Sequence, residues 1–526
     1  MTTRHVLRNA TIADGSGGPV RVGDVAIRDD RIEVVGGRAA STPGDSELDC
    51  TGRVVMPGFI DAHAHADGLL FDEDVQLALL RQGLTTVIGG QDGVSYAPGD
   101  GRYASEYFAA LNGAHPAYRG TTVADLLATY DHATRLNVAY VVPGGTVRYE
   151  VMGRATGRAD GDELRAMREL VAAGIGDGAV GLSTGLDYVP GIFADTAEIA
   201  ALCQPVAEAG AVYVTHMRGG YEANSAAGLD EVAEICRLTG VKAHISHFHT
   251  GADSLIDLVA SMRDRGVDLT FDAYPYIRGC TLLGMPLLPP ELAARPVDEV
   301  VHVLTDPDER GRLRTRWFPE LDHKASLGPD WPGMITLSHI AAPEYAWAHG
   351  LTLREASERA GRDVIDFSLD LLAASGLRAN AVMAVRYDRP DSELARILSH
   401  DAHVGGSDGI FVGDHPHPRA YGTFARYLAV FLRELGAYTW ASAAVHLSAR
   451  PADRFGLGQR GRLKPGYLAD VVVIDPERVR DAATYQSPVA LATGIDDVFV
   501  AGRRVLAGGA LTAELPGVGI RRSQKG

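Results

Sequence analysis

Two histidines separated by one residue stand at the end of a short apolar run that begins at Gly58. Because successive side chains of a β-strand point to opposite faces, His63 and His65 share one face of a predicted strand, in phase with Asp61 and Asp67. Two imidazoles on one face can hold a divalent metal ion. An isolated pair of this kind is more often incidental in a buried strand, so its meaning depends on the other strand ends.

Seven further short apolar runs alternate with helical patterns, which is typical of a parallel sheet built from βα units. The predicted strands are residues 58–66, 85–90, 138–142, 179–184, 212–217, 242–248, 268–272 and 402–407. Eight parallel strands favour an α/β fold of the TIM-type (β/α)8 barrel, whose chemistry lies at the carboxyl ends of its strands. Polar residues at those ends are therefore the candidates for function.

Polar side chains at five of these strand ends are suited to metal binding. They are His63 and His65, Asp92, His216, His247 with His249, and Asp408. Several imidazoles with one or two carboxylates suit a borderline ion such as zinc, with room for one or two ions and for water. Any one of these histidines alone would more often be a hydrogen-bonded core residue, but chance does not easily explain five strand ends. The sequence predicts a zinc site.

Composition and charge favour a small-molecule substrate. The chain has 526 residues, of which 46% are hydrophobic and 22% charged, an ordinary globular composition. A formal net charge of −17 argues against nucleic-acid and anionic-membrane partners, which bind basic surfaces. Four scattered cysteines indicate neither a disulfide framework nor a thiolate zinc site. We find no secretory signal and no membrane-spanning run in the sequence, so we expect a cytoplasmic protein.

Both ends of the chain consist of short β-prone runs separated by turn residues. Because chain termini often lie close together, we expect residues 1–57 and 456–526 to form one composite β-sandwich. Residues 58–455 then form the barrel domain. Residues 283–378 break the βα rhythm between the seventh and eighth strands and predict an inserted subdomain, which could act as a lid or only cover the barrel rim.

Several motifs carry a resemblance to a known family. Two of them are Pro57-Gly58-Phe59-Ile60-Asp61-Ala62-His63-Ala64-His65 and Gly406-Ser407-Asp408-Gly409, and three more are Gly93-Val94-Ser95-Tyr96-Ala97-Pro98, Gly181-Leu182-Ser183-Thr184-Gly185-Leu186-Asp187-Tyr188 and Thr215-His216-Met217-Arg218. The first two resemble the amidohydrolase superfamily, and the other three resemble its N-acyl-D-amino-acid deacylases, or D-aminoacylases. The resemblance covers nearly the whole chain. It implies a zinc-dependent hydrolase that cleaves N-acyl-D-amino acids to a D-amino acid and a carboxylate.

The resemblance also implies roles for individual residues. His63 and His65 resemble the family's first pair of metal ligands, and His216 and His247 resemble the ligands of the second, usually tighter position. Asp408 resembles the catalytic carboxylate, which would take a proton from the attacking water and pass it to the leaving nitrogen.

Four further residues are candidates for substrate contacts. Arg419, in the loop after the last predicted strand, resembles the arginine that receives the substrate's α-carboxylate. Tyr274 resembles a tyrosine that orients the substrate, although Tyr276 is nearly as good a candidate. His249 stands where the family often has a lysine. Tyr188 lies near a predicted strand end, where aromatic walls favour apolar substrate side chains.

One departure from the family pattern concerns the metal site. Many D-aminoacylases have a metal-bridging cysteine where this chain has Asp92. A carboxylate can bridge divalent ions through its two oxygens, so the resemblance still implies a metal site. The preferred ion and the choice between one and two ions stay open.

Two alternatives to a deacylase remain. A cyclic-amide hydrolase, such as a hydantoinase or dihydropyrimidinase, generally bridges two metals with a carboxylated lysine at strand four, and no lysine occurs between Ala179 and Tyr188. A non-catalytic scaffold would lose metal ligands, which this chain keeps. The exposed edge of the predicted sandwich and the insertion offer interfaces for a homo-oligomer.

Overall fold

An eight-stranded parallel sheet lies at the centre of the protein, whose computed structural model describes residues 4–324, 326–387 and 389–522. We number its strands 1 to 8 along the chain: Phe59–Asp61, Leu84–Gly89, Asn137–Pro143, Gly181–Gly185, Val212–His216, Lys242–Ile245, Leu269–Asp272 and His403–Val404. Neighbours in the sheet are also neighbours in this series. Each strand overlaps one of the runs predicted from the sequence.

Hydrogen bonds join the two ends of this sheet. The Ala62 N–H, just beyond strand 1, donates to the carbonyl oxygen of Gly405, just beyond strand 8, at 3.0 Å. Farther along, Ala64–His65 and Gly409–Ile410 pair as a short parallel ladder. The sheet is therefore curled in the manner of a TIM-like barrel, with functional positions expected at its carboxyl edge.

The two-residue period of the strands decides which side chains point inward. Val212 and Val214 of strand 5 belong to a small apolar cluster that also contains residues of strands 1, 3 and 8. Tyr213 between them belongs to the large cluster shared with the surrounding helices. The next position in phase with the two valines is His216, at the carboxyl end of the strand.

Helices follow the strands and cover the outside of the sheet. The α-helices are Glu73–Leu80, Arg102–Tyr107, Ala109–Asn112, Val123–Tyr130, Gly144–Met152, Gly161–Gly176, Thr196–Glu208, Ser225–Thr239, Ala252–Asp264, Asp391–Leu398, Arg419–Arg426, Trp440–Ala444 and Arg450–Phe455, with π-helical segments Tyr427–Glu434 and Val445–Ala449. Local sequence fixes their starts: Asp195, for example, accepts a hydrogen bond from the Glu198 N–H. None of the helices in the described ranges combines the length and apolar character that a membrane crossing requires.

Strands from both ends of the chain form one nine-stranded sheet. Its members are Arg4–Ile12, Arg21–Arg28, Arg31–Val35, Ser46–Asp49, Val54–Pro57, Val471–Ile474, Ile495–Val500, Arg503–Ala507 and Ala510–Leu511. The two sets meet where Val471–Ile474 pairs antiparallel with Val54–Pro57. Because Pro57 is followed almost at once by strand 1, this sheet anchors the chain that leads to His63 and His65.

Between strands 7 and 8 the chain forms a separate antiparallel sheet of three strands, Gly279–Leu282, Ile335–Ile340 and Ala379–Met383, which bound what we call the 279–383 segment. Its α-helices are Gly284–Leu287, Pro290–Ala293, Val297–Thr305, Pro307–Arg316, Phe318–Leu321, Trp331–Met334, Leu353–Arg359 and Val364–Ala374. A hydrophobic cluster whose buried members all lie between Leu283 and Ala381 fills it. The segment thus has a core of its own.

A buried ion pair links the terminal sheet to the start of the parallel sheet. The Asp470 carboxylate pairs with Arg460 through one oxygen and accepts the Ala501 N–H through the other, at 2.8 Å. The backbone oxygen of Asp470 accepts the Gly58 N–H at 2.9 Å. Arg460 and Asp470 are 6% and 4% exposed, so water cannot replace either partner if the other is lost.

We expect Arg460→Ala to lower the free energy of unfolding by about 3–5 kcal/mol, because it leaves the Asp470 carboxylate buried without its cation. Arg462→Ala is the matched control, since Arg462 pairs with the exposed Asp453, and such pairs contribute about 1 kcal/mol or less. Denaturant unfolding of both variants measures the difference. Equal losses in the two variants would contradict the role given to Arg460.

Candidate metal centre

Histidines and aspartates converge at the carboxyl edge of the parallel sheet. Nε2 of His63 lies 3.7 Å from Oδ1 of Asp92 and 3.6 Å from Oδ1 of Asp408. Nε2 of His65 lies 3.5 Å from Oδ2 of Asp92 and 3.3 Å from Oδ1 of Asp408. Nε2 of His247 is 3.7 Å from Oδ1 of Asp92. In each of two sets of three residues, the ligand atoms lie within 4.8 Å of one another. One set is His63, Asp92 and His247, and the other is His63, His65 and Asp408.

The separations in this cluster fit a divalent cation better than hydrogen bonds. Among the described residues, neither the two ring nitrogens of His63 nor Oδ1 of Asp92 has a hydrogen-bond partner, although both side chains are buried. Buried polar atoms without partners are costly. Tetrahedral ligands at about 2.1 Å from zinc lie about 3.4 Å apart, which is close to the spacing seen here. The residues present therefore fit a metal ion.

The carboxylates give the cluster a negative field. Burial alone would lower the pKa of His65, yet Asp408 and Asp92 raise that pKa to about 10. Burial would raise the pKa of Asp92, but His63, His247 and His65 hold it well below its usual range. The field that favours protons on the imidazoles also attracts a divalent cation, which replaces those protons when the imidazoles act as ligands.

His216, the remaining histidine predicted as a ligand, lies beside His247. Its Nδ1 is 3.2 Å from Nε2 of His247, and its Nε2 is 3.1 Å from Oδ2 of Asp187. Nδ1 of His216 and Oδ1 of Asp92 therefore both lie within 4 Å of the same His247 nitrogen. This brings the four predicted histidine ligands and the two aspartates into one centre.

Three residues of the centre adopt the left-handed backbone conformation. Their φ angles are 53° at Asp92, 36° at His247 and 49° at Asp408. Such conformations cost on the order of 1–3 kcal/mol for a non-glycine residue and persist where surrounding contacts enforce them. The His247 N–H donates to Oδ1 of Asp272 and the Asp408 N–H to the backbone oxygen of His63, both at 2.8 Å. The fold thus holds these side chains in place at the expense of backbone strain.

Asp272, at the end of strand 7, contacts two of the predicted metal ligands, His247 and His63, and also a further histidine, His244. Besides binding the His247 N–H, it places Oδ2 3.0 Å from Nε2 of His244 and 3.6 Å from Nδ1 of His63. Burial would raise the pKa of Asp272, but His63 and His244 hold it far below its usual range. The sequence offers a signal for this residue, because Asp272 is the last residue of a predicted strand.

Asn112 supports His65 and has no comparable sequence signal. Its Oδ1 is 3.0 Å from Nδ1 of His65, while its Nδ2 donates to the backbone oxygen of Val94 at 3.1 Å. With the amide nitrogen committed, Oδ1 accepts a proton from Nδ1 and leaves Nε2 of His65 as the ligand atom. Asn112 ends the short helix Ala109–Asn112, far from any motif.

Asp61 and Asp67 have other partners, although the strand period puts them in phase with the histidines. The Asp61 carboxylate accepts the N–H groups of His63, at 3.1 Å, and Ser407, at 2.8 Å. Oδ1 of Asp67 accepts a backbone N–H and a serine hydroxyl from the loop after strand 2, both at 2.8 Å. The two-residue period of a strand does not predict the direction of these side chains, because strand 1 stops at Asp61 and strand pairing resumes only at Ala64–His65.

Arg419 binds the predicted catalytic carboxylate. Its Nη2 lies 2.8 Å from Oδ2 of Asp408 and donates to the backbone oxygen of Cys280 at 3.3 Å. The guanidinium carbon is 4.5 Å from the centre of the Tyr274 ring. Nε and Nη1 have no hydrogen-bond partner in the described part of the chain, and the side chain is fully buried. Two such N–H groups beside Asp408 suit an anionic group of a ligand.

The other residues predicted to contact substrate are bonded within the protein. Nδ1 and Nε2 of His249 are each 3.0 Å from a backbone oxygen, of His247 and Tyr274 respectively. The Tyr188 hydroxyl is 2.9 Å from Oγ1 of Thr281, in the first strand of the 279–383 segment. The contacts of His249 and Tyr188 with a substrate stay predictions.

Comparison with known proteins places this centre in a family. The amidohydrolase family model matches residues 46–276 and 352–506. D-aminoacylase of Alcaligenes xylosoxydans xylosoxydans is 32% identical over 98% of this chain and 97% of its own length, and N-acyl-D-glutamate deacylase of the same organism is 34% identical over 94% and 92%.

A solved structure is similar over the same extent. N-acyl-D-glutamate deacylase from Bordetella bronchiseptica, complexed with zinc and a phosphonate inhibitor that mimics the tetrahedral intermediate, superposes with a TM-score of 0.81 and 30% identity. The match covers 99% of this chain and 100% of that one. The predicted resemblance is thereby confirmed: the chain belongs to the amidohydrolase family, in the group of the D-aminoacylases.

Proposed function

We propose that this protein is a zinc-dependent deacylase that hydrolyses the amide of N-acyl-D-amino acids to a D-amino acid and a carboxylate. The observation that carries the proposal is the position of Asp408. Its Oδ1 lies 3.3 Å from Nε2 of His65 in the metal cluster, and its Oδ2 lies 2.8 Å from Nη2 of Arg419. One carboxylate thus stands between a candidate metal site and a candidate site for the substrate's own carboxylate. The relatives' names support the substrate class.

Imidazole and carboxylate ligands suit zinc, in one or two positions. The residues that would hold it are His63, His65, Asp92, His216 and His247. When bound, zinc polarises the scissile carbonyl and lowers the pKa of water from about 15.7 to about 7. Oδ1 of Asp92 lies near His63 and His247, and its Oδ2 lies near His65. This supports Asp92 as the bridging ligand in the place where the family resemblance implies a cysteine.

Asp408 is the group that moves the proton in this proposal. Burial would raise the pKa of Asp408, but Arg419, His247 and the metal-site histidines hold it at about 2, so the carboxylate is ionised at neutral pH. It takes a proton from the attacking water and delivers it to the leaving nitrogen. The hydrogen bond from the backbone N–H of Asp408 to the backbone oxygen of His63 keeps the carboxylate beside the ligand atoms while this transfer occurs.

Arg419 orients the substrate. One N–H group of its guanidinium holds Asp408, and Nε and Nη1 remain for the α-carboxylate of the substrate. Paired hydrogen bonds fix the direction of a carboxylate as well as its position. The Tyr274 ring lies 4.5 Å from the guanidinium carbon, and stacking of this kind keeps the planar group in one orientation.

We also propose the following division of the chain. Residues 1–57 and 456–526 form a composite β-sandwich, residues 58–455 form a (β/α)8 barrel of TIM type, and residues 283–378 form an inserted subdomain near the barrel mouth. Support comes from the nine-stranded sheet shared by both ends, the hydrogen bond between the ends of strands 1 and 8, and the separate core of the 279–383 segment.

A cytoplasmic location and a homo-oligomeric state also remain proposals. The four cysteines, Cys50, Cys203, Cys236 and Cys280, are free and buried, which agrees with a reducing compartment.

The proposed activity is tested by amine release from a matched panel of N-acetyl-D- and N-acetyl-L-amino acids, and by formation of the ring-opened N-carbamoyl amino acids from the cyclic amides hydantoin and dihydrouracil. We expect turnover selective for the D-substrates and about one or two equivalents of bound zinc. Hydrolysis of only the cyclic amides would favour a hydantoinase-like enzyme instead. Absence of both metal and turnover would favour a non-catalytic scaffold.

Replacement of Asp408 separates catalysis from metal binding. We expect Asp408→Asn to lower kcat by about 10²–10⁴-fold, because proton transfer is lost, with nearly unchanged zinc content, because the histidines and Asp92 remain. Asp414→Asn, at an exposed position in the following loop, is the control and should retain full activity. Steady-state kinetics and metal analysis check both expectations, and normal turnover by Asp408→Asn would rule out the role given to this residue.

Replacement of Asp92 tests the bridging carboxylate. We expect Asp92→Ala to weaken zinc binding by more than about 100-fold, a larger loss than for an outer partner of a ligand. Asp92→Cys restores a ligand of the softer type and should bind zinc while shifting preference towards cadmium. Competition with a chromophoric chelator measures both affinities. Wild-type zinc affinity in Asp92→Ala would exclude Asp92 from the metal site.

A further inference from the structure

His216 is bonded by a carboxylate that follows strand 4. Asp187 places Oδ2 3.1 Å from Nε2 of His216, with side chains that are 20% and 10% exposed respectively. We propose that Asp187 is a positioning residue of the metal centre, which fixes the ring orientation and the protonated nitrogen of His216. This inference rests on the proposed metal-binding function and concerns the protein before any substrate binds.

The hydrogen-bonding capacity of the two groups decides which nitrogen of His216 is the ligand. An ionised carboxylate only accepts hydrogen bonds, whereas a neutral imidazole has one N–H and one acceptor nitrogen. Nε2 of His216 must therefore carry the proton that Asp187 accepts. Nδ1 keeps its lone pair and lies 3.2 Å from Nε2 of His247. Both histidines thus direct a nitrogen into the same space.

The Asp187 carboxylate and the residue next to it are each held by another part of the fold. Its Oδ1 accepts the Gly219 N–H at 2.7 Å. Gly219 has a φ of 74°, a backbone conformation that favours glycine, and a Cβ there would lie 2.6 Å from Nδ2 of Asn224. The neighbouring Tyr188 hydroxyl binds Thr281 of the 279–383 segment. The loop after strand 5 therefore holds the carboxylate itself, and the 279–383 segment holds the next residue along the chain.

The ring of Tyr188 adds a second constraint on His216. The two ring centroids are 5.2 Å apart with a nearly edge-on arrangement of 60°. On another side, the Tyr221 ring packs against His216 at 5.6 Å. Aromatic contacts limit rotation of the imidazole but do not choose between its nitrogens, so that choice belongs to Asp187.

The test is the affinity of the metal-free protein for zinc, measured with a chromophoric chelator and no substrate. We expect Asp187→Asn to weaken binding by about 10–100-fold, because an amide can accept from or donate to Nε2 and no longer dictates its protonation. Glu231→Gln is the charge-matched control. Glu231 binds Arg218, two residues after His216, without contact to the imidazole, and we expect a change below about threefold.

Cobalt substitution reports on the metal ligands directly, because the d–d absorption would stay unchanged if Asp187 only stabilised the fold. If Nδ1 of His216 is no longer presented, the d–d absorption of the cobalt-loaded Asp187→Asn variant should differ from that of wild type and Glu231→Gln. The melting temperature of the metal-free variants checks that each has folded, and Asp187→Ala, where it folds, should weaken zinc binding at least as much as Asp187→Asn.

Zinc affinity within about threefold of wild type in Asp187→Asn, with an unchanged cobalt spectrum, would overturn the inference, since the control sets that limit. Because these measurements use no substrate, they are independent of the deacylase activity. A wild-type protein that binds zinc but does not release amine would refute the proposed function and leave the role of Asp187 to be decided by the same titration.

Discussion

Three buried aspartates surround one imidazole, and this crowding of charge is the constraint on which the rest of the structure depends. Asp92, Asp272 and Asp408 are at most 5% exposed, and each has an oxygen 3.6–3.7 Å from a ring nitrogen of His63. Carboxylates gathered around one buried ring repel one another, and burial strengthens this repulsion because it lowers the local dielectric constant. Protonated histidines, Arg419 or a divalent ion must offset this repulsion. The stability of this edge of the sheet and its chemistry therefore depend on the same cations.

The backbone supplies the rigidity that such a cluster needs. Left-handed conformations at Asp92, His247 and Asp408 would relax if the surrounding hydrogen bonds were weak. Two of these residues are held by bonds that also join neighbouring strands, since the Asp408 N–H binds the His63 carbonyl and the His247 N–H binds Asp272. The contacts that curl the sheet are thus partly the contacts that aim the ligands. A change that weakened the curl of the sheet would therefore also change the orientation of the ligands.

Sequence patterns predict the eight strands and the charged residues at their ends, because both follow from local rules: a period of two, and the position of chemistry at the carboxyl edge. Asp61 shows where the period stops being informative, since strand 1 is interrupted just after it. Asn112 could not be predicted because it lies on a short helix outside the βα pattern, and only tertiary packing brings it to His65. Asp187 follows strand 4 next to strand 5, but nothing in the sequence says that it binds Nε2 of His216. The sequence predicts that His249 lies near the end of strand 6, but it does not predict which two backbone oxygens bind the imidazole ring.

The family model leaves a gap between its two matched ranges, and the residues in this gap contact the site differently from the matched residues. Every candidate metal ligand, Asp408 and Arg419 lie within residues 46–276 and 352–506. Cys280 and Thr281 lie outside these ranges, yet the first binds Arg419 through its backbone oxygen and the second binds the Tyr188 hydroxyl. Residues 277–351, as far as the structure describes them, therefore contact the residues assigned to substrate recognition and make no hydrogen bond with the ligand atoms. Variation there can change which side chain or acyl group is accepted while the metal centre, and with it the class of reaction, stays the same.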